Sequence, residues 1–206
     1  MTGKLFTHGS SKDWMRRSAV AGGRQYTRAY TPSYYEAAET LVQAALQDNK
    51  PADLLFCPIV YLYRHFVELM LKDLIRQAQG YCKLLESLGI AHGQPKKNVL
   101  PELTETHSLK RLLDWLIERL EVVGDKETFD DGVRVTIEQL HSFDPEGVTF
   151  RYGYTTKGKL TLPKQQQYDI EIIRSRMKEV NDYLCGIEAW LDFNSELARE
   201  WAAMTP

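Results

Sequence analysis

Cysteine is scarce in this chain. The three that occur, Cys57, Cys82 and Cys185, lie far apart and form no CxxC. An odd number cannot pair fully within one chain, so no disulfide framework is expected, and a reduced cytoplasmic setting is the simpler reading. An excess of charge is also missing: 26 basic residues stand against 28 acidic ones, a formal net charge of -2. Such balance excludes a strong nonspecific pull on nucleic acid or anionic membranes, though it leaves room for a local basic patch. No uninterrupted apolar run reaches membrane-spanning length, so no membrane partner is expected. The first residues, "MTGKLFTHGSSKDW", lack the apolar core of a signal peptide. There is no HExxH, no P-loop, no GxGxxG, no GxSxG elbow and no Cys/His ligand spacing. Neither a metal site nor a cofactor is therefore expected. Repeats and low-complexity tracts are absent as well.

What is present is an ordinary globular composition, 43% hydrophobic over 206 residues. That suits one domain with a core large enough to need no staple. Residues 1–32 show no sustained period and read as an irregular arm. Ser33 with Glu36 three positions later is a capping-box signature, and positions 34, 37, 38, 41 and 45 keep a helical period, so a first helix is expected over 33–47. A second helix runs from the mid-50s to about 79 or on to Leu88, with Pro58 near its start. A third opens near Thr106 or Ser108 and carries the stripe Leu109, Leu112, Leu113, Leu116 and Leu120. A fourth covers about 126–142. The last covers about 165–202, with Ile170, Ile173, Met177, Val180, Leu184, Ile187 and Leu191 at helical spacing. Between these two, residues 148–162 read as a small extended or hairpin excursion, with "TKGK" at the turn. The expected architecture is an all-α bundle over 33–206.

Four stretches carry ionisable groups in informative places. "PIVYLYRHFVELMLKDLIRQ" is the most apolar part of the chain, yet it contains Arg64, His65, Glu68 and Lys72. Arg64, Glu68 and Lys72 are four apart and share a helix face. Either they form a solvated stripe paired through Glu68, or they are a partly buried cluster, which is costly unless paired and often marks a site. "RVTIEQLH" places Arg134 and His141 two helical turns apart on one face. That pair suits metal-independent RNA cleavage: histidine moves the proton of a 2'-hydroxyl, and arginine offsets charge on the phosphate. The bland reading is chance, since one Arg and one His within eight residues is a common event. His107, in "THSLKRLL", either joins a polar site or is a first-turn residue beside a capping Thr106 or Ser108. In "FDPEGVTFRYGY", Arg151 and Tyr152 either stack a base and hold a phosphate or plug one end of the bundle.

Taken in order, "YLYRHFVELMLKDLI", "THSLKRLLDWL" and "FDPEGVTFRYGYTTKG" resemble the HEPN-like helical proteins common in bacterial genomes, over about residues 53–160. The resemblance implies a helical bundle that dimerises. It implies either a ribonuclease of toxin–antitoxin, CRISPR-linked or other defence systems, or a noncatalytic module for a nucleotide or protein partner such as an antitoxin. Active HEPN ribonucleases carry an arginine and a following histidine with four to six residues between them, and Arg134 and His141 have six between them. Where a polar residue commonly follows that arginine, this chain has Val135. The resemblance thus gives Arg134 and His141 as catalytic residues; the candidates for holding a substrate, read from the residues themselves, are Arg64, His65, Glu68, Lys72, His107, Arg151 and Tyr152. One such motif per chain implies a homodimer.

Overall fold

The computed structural model describes residues 24–47, 51–124 and 129–204, with side chains from residue 30 onward. Among them are five α-helices and no strand. These are α1 (Arg24–Gln47), α2 (Ala52–Ser87), α3 (Leu109–Val122), α4 (Asp131–Phe143) and α5 (Ile170–Met204). A short 3₁₀ turn at Leu100–Glu102 interrupts the connection before α3. The all-α expectation holds.

The boundaries differ from the periodicity in instructive ways. α1 begins at Arg24, not Ser33, and runs through Pro32. Residues 24–32 are therefore helical rather than irregular, and residues 1–23 lie outside the described part. Ser33 is no cap: its hydroxyl donates to the Tyr30 carbonyl at 2.7 Å, the back-bonding of a residue inside a helix. α2 begins at Ala52, which puts Pro58 well inside the helix. The missing N–H leaves the Leu54 carbonyl without its helical partner. Leu54 is exposed, so water can serve that carbonyl. α3 starts where the sequence suggested, with Ser108 Oγ accepting from the Arg111 N–H at 3.3 Å. α4 is capped by Asp130, whose Oδ1 accepts from Val133 N–H at 2.8 Å. The expected start of that helix at 126 falls outside the described residues. The excursion near 148–162 contains a turn with Gly158 at φ 72°. It is closed by one isolated bridge, Tyr154 to Leu160, with no ladder beyond it.

α2 is the central helix, packed against α1, α3 and α5, while α4 packs against α3 and α5. Its apolar side chains Ile59, Tyr63, Phe66, Val67, Leu71, Leu74 and Ile75 are buried on several faces. The stripes of α3 and α5 meet them, each residue of the α3 stripe being buried. Ile173, expected in the α5 stripe, is only half-buried. Burial of this kind contributes roughly 1.5–3 kcal/mol per large aliphatic side chain. Glu39 of α1 ties three helices together. It accepts from Tyr63 Oη of α2 at 2.5 Å and from Arg174 Nε of α5 at 2.8 Å.

Among the described residues, α2 is the one helix whose length and composition would suffice to cross a membrane. Half of its most apolar window is buried in this bundle.

Candidate functional site

The solvated-stripe reading of the α2 charges fails. Arg64, Glu68 and Lys72 are 2%, 3% and 6% exposed. Each is instead paired inside the protein. Arg64 Nη1 donates to Glu68 Oε2 at 2.9 Å, and Lys72 Nζ to Glu68 Oε1 at 2.8 Å. His107 Nδ1 lies 2.9 Å from the same Oε1. The remaining nitrogens of Arg64 reach across the fold: Nη2 donates to the His107 carbonyl at 2.7 Å and Nε to the Asp144 carbonyl at 3.1 Å. The Asp144 carboxylate stands 3.2 Å from Nε.

Burial pushes the Glu68 carboxyl upward. The hydrogen bond and charge of Lys72, then the hydrogen bonds of His107 and Arg64, outweigh burial and hold it down at about 2. Glu68 is thus a carboxylate and can only accept. The hydrogen between it and His107 therefore belongs to Nδ1.

Asp144 is fully buried and sits just past the end of α4. Its Oδ1 accepts from the Val148 and Thr149 N–H groups at 2.8 and 2.9 Å, folding the next residues over Arg64. Gly147 closes that wrap at φ 73°; a Cβ there would lie 3.0 Å from Arg64 Nη1.

The neighbouring surface is aromatic and cationic. His65 stacks on Tyr61, with ring centroids 5.7 Å apart, and takes the edge of Tyr34 at 4.4 Å. The Arg151 guanidinium lies 5.8 Å from the Tyr61 ring centre and 5.3 Å from that of Tyr152. Burial pulls the His65 imidazole below its ordinary value; Glu68 opposes this, and Arg64, Lys72 and Arg151 reinforce it. At neutral pH His65 is an uncharged ring.

Arg134 and His141 lie on a different helix from both groups. They are half-buried on α4, on the same face as Glu138, which pairs with Lys110 of α3 at 3.8 Å. Buried Arg134 Nε and His141 Nδ1 have no hydrogen-bond partner among the described residues. Two other charged side chains also leave a buried atom unbonded, Arg119 at Nε and Asp144 at Oδ2. Arg119, however, donates to the Trp115 and Lys97 carbonyls at 2.9 and 2.7 Å, and Asp144 faces Arg64. Among the described residues, Arg134 and His141 have no such alternative. The opposite face of α4, through Thr136, Leu140 and Phe143, lines a mostly apolar hollow of about 500 Å³ against α5 that contains no histidine or carboxylate.

Seven of the nine expected site residues thus gather around α2 and the loops at its side, and the other two lie on α4. Three of the seven, Arg64, Glu68 and Lys72, face inward and hold other groups in place. His65, His107, Arg151 and Tyr152 reach the surface. Asp144 and Gly147 were missed, although "DPEG" carries the turn signal of Asp followed by Pro and Gly. No group of three or more His, Cys, Asp or Glu side chains suited to a metal occurs among the described residues. Compared with known proteins, the chain matches no family model, no curated protein and no solved structure.

Proposed function

We propose that this chain is a HEPN-like protein that acts on RNA, cleaving it by metal-independent phosphodiester chemistry in a toxin–antitoxin or defence role. His141 transfers the proton and Arg134 offsets the charge that builds on the phosphate. One observation carries the reading. Arg134 and His141 share a helix face, and each keeps a buried nitrogen with no partner among the described residues. A buried polar atom left unpaired costs about 1–3 kcal/mol, and such a cost calls for an explanation such as a catalytic role. The exposed Arg151 and Tyr152, with Tyr61 beneath, suit a base and its phosphate. Val135, which follows Arg134, is about half exposed and takes no part. The working form is a homodimer.

The test is cleavage of a mixed RNA pool with chelator present. Cleavage that His141→Ala and Arg134→Ala each reduce by about 100-fold or more, with unchanged thermal melts, supports the reading. Wild-type protein that leaves all RNA intact with and without divalent ions overturns it. The second reading, a noncatalytic module for a nucleotide or partner protein, rests on the same Arg151 and Tyr152 surface. It predicts ligand binding that Arg151→Ala weakens and His141→Ala leaves alone.

A further inference from the structure

His107 has an arrangement that its structural duties do not require. Arg64 and Lys72 already balance the Glu68 carboxylate, so no third donor is needed for charge. The consequence falls on the imidazole. With its hydrogen fixed on Nδ1 by an ionised acceptor, a neutral His107 carries its lone pair on Nε2. The side chain is about half exposed, at 52%. Its main chain is held as well, by Arg64 Nη2 at the carbonyl and by the Ser108 cap of α3 immediately after it. A carboxylate-oriented imidazole with a free outer nitrogen is the pattern of a general base.

The fold also sets where this base stands. α3 and α4 are consecutive helices packed on each other, and the Lys110–Glu138 pair, 3.8 Å apart, marks where their facing sides come together. One turn toward the start of α3 from Lys110 is His107; one turn toward the end of α4 from Glu138 is His141. Arg64 closes that same end, with one nitrogen on the His107 carbonyl and another on the Asp144 carbonyl, three residues past His141. The two histidines therefore occupy the same end of one helical hairpin, and Arg134 lies two turns back along the face of His141.

We propose that His107, positioned by Glu68, is a second proton-transfer residue that works with His141 across the mouth of the α3–α4 hairpin. This rests on the RNA-cleavage reading above. In the step, His107 Nε2 takes the proton from a ribose 2'-hydroxyl. The 2'-oxygen attacks the adjacent phosphorus and the P–O5' bond breaks. Protonated His141 gives its proton to the departing 5'-oxygen. The products are a 2',3'-cyclic phosphate and a 5'-hydroxyl, with no water or redox partner consumed. Arg134 faces the charge on the non-bridging oxygens. Glu68 is a positioning residue and touches no substrate. The charged groups around this end are Arg64, Glu68 and Lys72 of α2, Lys110 of α3, Glu138 of α4 and Asp144 after it.

The experiment uses full-length His107→Asn, whose amide retains an N–H toward Glu68 but has nothing at the Nε2 position. Its melting temperature should match the wild type, while RNA cleavage falls by about 100-fold or more and the limb of the pH–rate profile belonging to the base disappears. Should the asparagine variant melt early, His107→Gln replaces it, judged by the same pH profile. A uridine 3'-(p-nitrophenyl phosphate) substrate, whose leaving group needs no proton, separates the roles. Activity of His141→Ala should recover on it, and that of His107→Asn should not. Wild-type cleavage that His107→Asn and His107→Gln leave unchanged overturns the inference and leaves the ribonuclease reading standing. Recovery of the His107 variants instead of His141→Ala overturns the assignment of His107 as base. Absence of wild-type cleavage overturns both readings together.

Discussion

Arg64 and Asp144 lie 80 positions apart and meet twice: Nε donates to the Asp144 main-chain oxygen at 3.1 Å and stands 3.2 Å from its carboxylate. The same guanidinium binds Glu68 in its own helix and the carbonyl before α3. One side chain thus fastens three segments, and each of its three nitrogens makes a hydrogen bond. A buried charge of this kind contributes little net stability when paired but is severe to unbalance.

Asp144→Ala should therefore destabilise the protein by about 3–5 kcal/mol, since it takes a carboxylate from a buried arginine and strands two main-chain N–H groups. Urea unfolding followed by circular dichroism measures this. A loss under about 1 kcal/mol would show that Arg64 is adequately held without the carboxylate.

Gly147→Ala removes no interaction, yet it should cost about 1–3 kcal/mol. Its φ of 73° disfavours any side chain, and the new methyl would press on Arg64 at 3.0–3.3 Å. Gly158→Ala provides the comparison: φ is 72° there, with nothing within 4 Å of the added carbon. The difference between the two melts isolates the contact with Arg64.

Glu68 sets a pH dependence whose sign follows from its depressed value. Its contribution is complete above the ordinary carboxyl value of 4.5 and is lost as pH falls through about 2. Glu68→Gln should be less stable than wild type at pH 7, and the gap should close between pH 4.5 and 2. A gap that widens on acidification would reverse the assignment of Glu68 as an ionised acceptor.

Light scattering at micromolar concentration should report about twice the 23.8 kDa chain mass. Apolar side chains available for such a contact include Ile172, Phe193 and Leu197 on α5, each more than half exposed. A monomer at this concentration removes the homodimer from the proposed function. A two-histidine site contained within one chain survives that result.

Helix periodicity made most of the bundle readable, because Leu109 to Leu120 and Met177 to Leu191 bury one stripe each and nothing competes with that signal. Prolines misled the reading twice. A first helix over 33–47 leaves Pro32 outside, and a start in the mid-50s puts Pro58 near the first turn, yet Pro32 lies inside α1 and Pro58 well inside α2. Composition showed that Arg64, Glu68 and Lys72 sat in apolar surroundings; it had no means to show that their partners were a histidine and an aspartate far along the chain. Arg119 gave no signal at all. Its burial depends on the Lys97 carbonyl in a loop, and a main-chain acceptor has no residue identity to read.

The reach of Arg64 also has a bearing on synthesis. Chains are made from the N-terminus, and domains fold as units as they emerge. When α2 and α3 have left the ribosome, Arg64 still lacks the carbonyl and carboxylate of Asp144. Asp144 in turn lacks the Val148 and Thr149 amides that fix it. The end of the hairpin that holds both histidines closes only after α4 and the turn beyond it are made.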